Sequence, residues 1–437
     1  MLKIFHFDIK NSILKNVLML TGGAVLAQVI NFLLSPVITR LYSPEDYGIL
    51  SVYGSILGLL VIISSLKYDS AIVIADDDET AINIVGLCLA VLLCIISIIL
   101  IILFFVGNII LNKLNYGLII QYKYYIPLGV FLLGLYNIFS QWAYRKKNIK
   151  SISKTKFTQS LFNNVIKIFL GLGKLKAAGL LLGTIAGESA GLSTLSIPFF
   201  REYFHLLKEI KWQKIKYCAK RYIKFPLFTS ISQLFNQAGL LLPSLLMLSL
   251  YDTRTVGYYG LANSVLSLPM NLIGNSIGDV FYTEAASFGR QDPKRLKELS
   301  IKFLKKLIII GLILLVIILI GGPFLFGLIF GKSWVESGNF ARIMVIIIFS
   351  RLIFTPICRL YSIFEKQKEE LFIDLLRVIL VLSVYYISKY LLLEIKTYLI
   401  LYSICMCFLY ILNFIIVQCI LKNKIKEKNY NELENIE

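Results

Sequence analysis

The chain has 437 residues, of which 57% are hydrophobic and only 16% charged, with a mean hydropathy of +0.75. Those proportions exclude a soluble globular protein of this length and fit a polytopic membrane protein. The formal net charge of +19 matches nucleic acid in sign alone, because the basic residues are spread over membrane-flanking loops and form no nucleic-acid patch.

About 20 apolar residues cross the hydrocarbon core as a helix. Such runs occur at 13–38, 47–66, 81–106, 124–143, 157–173, 177–200, 223–250, 255–285, 301–330, 337–361, 371–388 and 397–421. They predict an all-α protein with about twelve transmembrane helices. The first run is too long for a signal-peptide core and reads as an uncleaved span. With the N-terminus placed inside, the connecting segments carry 30 Lys and Arg on the inner side against nine on the outer side. That asymmetry puts both termini in the cytoplasm. The acidic run Asp76-Asp77-Asp78-Glu79 reads as a solvated loop. The segment 201–224 has eight basic residues interrupted by Leu206, Ile210, Trp212 and Tyr217. That is the pattern of an interfacial linker helix held by anionic lipid headgroups.

The chain also repeats itself. Leu41-Tyr42 followed by Gly48 returns as Leu250-Tyr251 followed by Gly257, an offset of 209 residues. The same offset carries Gln28 onto Gln237 and Ser55 onto Ser264. An internal duplication predicts two pseudo-symmetric six-helix lobes around a central cavity. The expected division is 1–224, an N-terminal lobe ending in the basic cytoplasmic linker, and 225–437, a C-terminal lobe with a short cytoplasmic tail.

No catalytic arrangement stands out, and no cofactor is implied. The seven cysteines fall mostly in apolar runs, and the only histidines are His6 and His205, so neither a disulfide framework nor a metal centre is expected. Phe330-Gly331-Lys332-Ser333 resembles the end of a P-loop, but Phe326 stands where its first glycine is required. The outer loops are too short to house a polymerase or glycosyltransferase active site. Polar residues inside the spans are then the informative ones, since each is costly in lipid. Gln28, Asn31 and Ser35 share one face of the first span. Gln233, Asn236 and Gln237 share a face of the seventh, and Asn271, Asn275 and Asp279 a face of the eighth. These stripes either tie helices together or line a water-filled cavity. Arg351 falls near mid-membrane in the tenth span, where a cation needs a carboxylate such as Glu188 or an anionic ligand.

Several motifs match one family. Ile38-Thr39-Arg40-Leu41-Tyr42-Ser43-Pro44-Glu45-Asp46-Tyr47-Gly48 resembles the stretch after the first span of Wzx-type polysaccharide flippases, members of the multidrug/oligosaccharidyl-lipid/polysaccharide exporter superfamily. Leu66 to Val73, Gly257-Tyr258-Tyr259-Gly260-Leu261-Ala262 with Pro269, and Phe330 to Trp334 with Gly338 resemble later stretches of the same proteins, in order. The resemblance implies a non-enzymatic flippase of the bacterial cytoplasmic (inner) membrane, serving O-antigen, lipopolysaccharide or capsule synthesis. It would move undecaprenyl-diphosphate-linked oligosaccharide to the outer leaflet by alternating access. The implied partners are that lipid-linked oligosaccharide, membrane lipids and the polysaccharide polymerase machinery, with no nucleic acid. On this reading Gln28, Asn31, Gln233, Asn236, Gln237, Asn271 and Asn275 offer neutral hydrogen bonds to the sugar headgroup, and Arg351 meets the diphosphate.

Three alternatives are a multidrug or cation antiporter of the same superfamily, a peptidoglycan-precursor flippase, and a membrane glycosyltransferase or polymerase. The antiporters often carry an acidic residue in the first span, and 13–38 has none. The peptidoglycan-precursor flippase typically has two further spans and an Arg inside the first.

Overall fold

The computed structural model describes residues 12–113, 116–289 and 292–434; the segment 1–11, expected in the cytoplasm, lies outside them. The described residues are helical, with no strand. Among the described residues, twelve long helices coincide with the twelve runs expected from the sequence. They are α1 (Ser12–Leu41), α2 (Pro44–Ser64), α3 (Asp78–Phe105), α4 (Tyr125–Arg145), α5 (Ile149–Leu172), α6 (Lys176–Tyr203), α7 (Ser230–Leu250), α8, α9 (Pro293–Phe330), α10 (Val335–Phe354), α11 (Gln367–Leu391) and α12 (Ile395–Glu434). Helix α8 is interrupted: Thr253–Pro269 passes through a π turn, Met270–Gly274, into Asn275–Phe288. A short linker helix, Trp212–Arg221, follows α6.

Among the described residues, ten helices are both long and apolar enough to cross a membrane. The remaining two, α5 and α8, are long but polar. Helix α5 carries Lys150, Lys154, Lys156 and Lys167, and α8 carries Arg254, Asp279 and Glu284. Large apolar side chains point outward, among them Phe104, Phe105, Ile320 and Phe324. Such a surface is tolerable in lipid and not in water. The protein is thus an all-α polytopic membrane protein.

The chain forms two compact units, Met1–Leu234 and Phe235–Glu437. Each opens its second long helix with a side-chain cap on the N–H three residues on. In unit 1 the Ser43 hydroxyl caps α2, accepting from the Asp46 backbone N–H at 3.2 Å, while the Asp46 carboxylate accepts from the Ser43 N–H at 3.0 Å. This reciprocal pair, followed by Pro44 at the first helical position, satisfies donors that the helix itself leaves free. At the 209-residue offset, Asp252 caps α8 by accepting from the Thr255 N–H at 2.7 Å. The preceding tyrosines also correspond. Tyr42 donates its hydroxyl to the Lys167 carbonyl at 2.7 Å, and Tyr251 to the Leu393 carbonyl at 2.8 Å.

Unit 1 is held by close helix contact. Gly179, Gly183, Gly187 and Gly191 form a column on α6 at every fourth residue, and Leu170, Lys167, Asn163 and Gln159 of α5 lie against it. A Cβ on Gly187 would stand 2.9 Å from the Gln159 carbonyl oxygen. Small residues at this spacing let polar helices approach without lipid between them. The Thr155 hydroxyl, donating to the Gly191 carbonyl at 2.6 Å, closes the end of the seam.

The acidic run corrects the sequence reading. It is not a free solvated loop. Asp76 pairs with Arg221 at 2.7 Å, Asp78 with Arg145 at 3.1 Å and also with Lys146, and Glu79 with Lys214. Asp77 caps α3 through the Thr80 N–H at 2.6 Å, a bond that holds its carboxyl below the usual carboxylate range. Spacing alone did not show these pairs, because the partners lie about 70 to 145 positions away. Asn83 adds two hydrogen bonds to the linker, donating to the Glu209 carbonyl and accepting from the Lys211 N–H. The linker helix is therefore docked on unit 1.

Candidate functional site

The residues singled out in the sequence fall into two groups. In unit 1, Gln28 is half-buried on α1 and Asn31 lies one turn further, exposed overall. The Asn31 side-chain oxygen nevertheless accepts from the Ser160 hydroxyl at 2.7 Å and the Asn164 side-chain amide at 2.6 Å, both on α5. Gln233 is exposed near the start of α7. Beside this seam the Gln159 amide donates to the Glu188 carboxylate at 2.8 Å.

In unit 2 the structure brings two of the predicted residues to one place. Asn236 and Asn275 line a cavity of about 190 Å³ together with Thr355, Arg359, Glu370, Asp374, Arg377 and Asn413. Part of its wall comes from interrupted helices, and α7, α11 and α12 add to it. The π turn Met270–Gly274 interrupts α8, and Pro356 and a short 3₁₀ turn, Ile357–Arg359, follow α10. Local departures of this kind free backbone groups and are frequent at functional sites.

Charge at the centre of the cavity is balanced. The Asn236 amide donates to both oxygens of Asp374, at 3.0 Å each. Arg377, one turn along α11, donates to the same carboxylate at 2.9 Å, and both side chains of the pair are 9% exposed. Burying this pair is tolerable only because the hydrogen bonds are made. Two buried donors facing this region are left over: the Arg377 Nε and the Thr355 hydroxyl have no partner among the described residues. The Tyr361 hydroxyl donates to the Asn413 side-chain oxygen at 2.8 Å. At the rim Arg359 pairs with Asp279. Asp279 was read with Asn271 and Asn275 as one polar stripe; its carboxylate is engaged by a cation.

The other predicted residues stand apart. Gln237 is half-buried and Asn271 exposed, and neither lines the cavity. Arg351 is half-buried on α10 and makes no ion pair among the described residues. Glu188, one partner considered for it, takes its hydrogen bond from Gln159 inside unit 1.

Sequence reasoning passed over Asp374 and Arg377. The signal was present: an acidic and a basic residue three apart within an apolar run. It is a weak signal, because the two residues fall near the start of that run, where charged side chains commonly reach water. Among the described residues no three His, Cys, Asp or Glu side chains are grouped to hold a metal ion.

A family model described as polysaccharide biosynthesis protein matches residues 37–339. The chain belongs to that family. Among proteins with curated descriptions, no significant relative is found. The fold is that of the wider exporter superfamily. An inward-facing multidrug resistance MATE family transporter of the MOP superfamily superposes with a TM-score of 0.76 at 14% identity, covering 91% of this chain and 96% of that one. The lipid II flippase MurJ, in an inward closed conformation, superposes with a TM-score of 0.68 at 14% identity, covering 95% and 93%. A MOP superfamily transporter from Pyrococcus furiosus gives 0.52 at 15% identity, covering 94% and 96%. The resemblance read from the motifs is thereby borne out in family and fold: the chain belongs to a polysaccharide biosynthesis family and folds like transporters and a flippase of that superfamily.

Proposed function

We propose that the protein moves an undecaprenyl-diphosphate-linked oligosaccharide from the inner to the outer leaflet of the bacterial cytoplasmic membrane. Both termini face the cytoplasm, and the product on the outer leaflet becomes substrate for polysaccharide-polymerising machinery. The observation that carries this reading is the polysaccharide biosynthesis match across residues 37–339, on a fold also found in a lipid II flippase. The unit 2 cavity supports it, because its amides and hydroxyls surround a charge-balanced centre suited to a hydroxyl-rich headgroup. No bond is made or broken. Transport follows from different substrate affinities in the inward- and outward-open states.

Gln28, Asn31, Gln233, Asn236, Gln237, Asn271 and Asn275 supply neutral hydrogen bonds along the path in this proposal. Arg351 supplies positive potential for the diphosphate. Since Arg351 makes no ion pair among the described residues, its removal strands no carboxylate there. Arg351→Ala is therefore expected to reach the membrane in normal amount and to lose surface polysaccharide, and Arg351→Lys to keep part of it, since charge survives without bidentate geometry. Immunoblots of membranes alongside polysaccharide staining check this; full polysaccharide from Arg351→Ala removes the residue from the substrate path.

The decisive experiment for the function is complementation of a strain lacking its own polysaccharide flippase. Restored surface polysaccharide, with disappearance of the accumulated lipid-linked intermediate, is expected. A second reading, a cation-coupled small-molecule exporter, draws on the multidrug transporter neighbour and on the buried carboxylate Asp374. Resistance to a drug panel without complementation would favour it.

A further inference from the structure

The linker helix has two opposed faces with different chemistry. Lys214, Cys218 and Arg221 lie on one face, at i, i+4 and i+7. That face is spent on unit 1: Lys214 pairs with Glu79, Arg221 with Asp76, and Cys218 is buried. Trp212, Lys216 and Lys220 lie on the opposite face, at i, i+4 and i+8. Trp212 is 74% exposed there, and Lys216 and Lys220 make no ion pair among the described residues.

The position of the helix decides what that outer face meets. It is not stacked beyond the end of α3 but lies along its side. Ile210 and Ile215 close over Gly86, where an added Cβ would stand 3.1 Å and 3.4 Å from them. Gly86 is about 12 Å along α3 from Asp78, at about 1.5 Å per residue. The headgroup layer is only roughly 5–7 Å thick on each side of the hydrocarbon. A helix beside these turns of so apolar a span therefore sits at headgroup depth. An indole with unpaired lysines at that level is complementary to anionic phosphate and to the apolar boundary beneath it.

We propose that Trp212, Lys216 and Lys220 form a binding surface for the headgroups of anionic phospholipids, while the acidic run 76–79 turns this face outward by occupying the other cations. Occupancy by lipid fixes the linker at the bilayer boundary whatever the transported substrate is.

Tryptophan fluorescence tests this on the full chain. The protein has three tryptophans, and Trp142 and Trp334 are buried at 2% and 0% exposure, so Trp212 dominates the response to external quenchers. The protein is placed in nanodiscs of phosphatidylglycerol or of phosphatidylcholine, each with acyl chains brominated near the glycerol. Emission should be quenched by the brominated lipid, more in phosphatidylglycerol, and should resist aqueous iodide. Trp212→Phe should lose the lipid-quenched component while the shielded emission of the other two tryptophans persists, which reports an intact interior. Lys216→Gln with Lys220→Gln should abolish the phosphatidylglycerol excess. Quenching by iodide in both lipids, with none from brominated chains, overturns the proposal in favour of a face turned to the cytoplasm or to a protein. Equal lipid quenching in both discs that the lysine changes leave unaltered overturns the anionic selectivity.

Discussion

The two units solve the same problem, tying one of their long helices to another, with opposite chemistry. In unit 1, α1 meets α5 at close backbone range, and the tie is neutral: Asn31 accepts from Ser160 and Asn164. In unit 2, α7 meets α11 through side chains, and the tie is charged: Asn236 and Arg377 both serve Asp374. Close packing leaves little space for anything else. The side-chain bridge leaves a polar cavity of about 190 Å³ with two unsatisfied buried donors. A neutral seam can lose one member cheaply, whereas a buried ion pair cannot, because whatever remains is a charge without water. Unit 1 is thus built for cohesion, while unit 2 holds a polarised interior able to respond to a ligand.

Breaking the charged tie should have the largest effect. Arg377→Ala leaves Asp374 buried with only the Asn236 amide, and losing one partner of such a pair costs about 3–5 kcal/mol. Membrane abundance and the thermal midpoint of the purified protein should both fall. Asp374→Leu combined with Arg377→Met removes both charges and should recover much of the loss. If that recovered protein still restores surface polysaccharide, the ion pair serves folding alone; if it is stable and silent, the pair takes part in transport.

Helix contact in unit 1 should come next. Gly187→Ala places a methyl 2.9 Å from the Gln159 carbonyl and 2.8 Å from the Asn163 Cβ. Backbone must separate to admit it, at a cost of about 1–3 kcal/mol by the measure of overpacked cores. Thermal unfolding in detergent reads the change. A neutral result would mean that α5 and α6 are not pressed together as described.

These cases show what the sequence made legible. Hydropathy marks ten of the long helices clearly, because a membrane-spanning helix must satisfy its own backbone and leaves length and apolarity as the visible signal, whereas α5 and α8 are too polar to carry it. The duplication was readable because Tyr42 and Tyr251 each end one helix and anchor to a backbone carbonyl, a role few residues fill. The glycine column is equally visible in the sequence at its four-residue spacing. Partners were hidden. Nothing near Asp76 in the chain names Arg221, and nothing near Asn236 names Asp374, since both contacts arise only on folding. Polar stripes likewise cannot say which members face a helix: Asn31 and Asn236, read alike, serve a neutral partner in one unit and a carboxylate in the other.

The repeated anchors offer a matched pair of smaller effects. Tyr42→Phe and Tyr251→Phe each delete one hydroxyl donating to a carbonyl at 2.7 and 2.8 Å. Each should cost about 1 kcal/mol, the net worth of one hydrogen bond. As the sites lie in separate units and share no partner, the double change should be close to additive. Unequal costs measured by thermal unfolding would show that the duplicated signature has diverged in role while keeping its residues.

Asn31→Ala should have the smallest effect on stability, for a reason visible in its partners. The Ser160 hydroxyl also lies 2.9 Å from the Ala27 carbonyl, and the Asn164 amide 2.7 Å from the Ser160 carbonyl. Both donors keep an acceptor when Asn31 is gone, so no buried group is stranded. The expected loss is about 0.6 kcal/mol, the average for side-chain hydrogen bonds between membrane helices. Asn236→Ala is the contrasting case: Asp374 loses two N–H contacts, and bonds to a charged group are worth about 1.5–3 kcal/mol. Measured together, the two alanine variants separate cohesion from transport. If Asn31→Ala is as stable as expected and surface polysaccharide also stays normal, Asn31 belongs to the α1–α5 seam. If stability holds and polysaccharide falls, its exposed amide nitrogen acts on the substrate path.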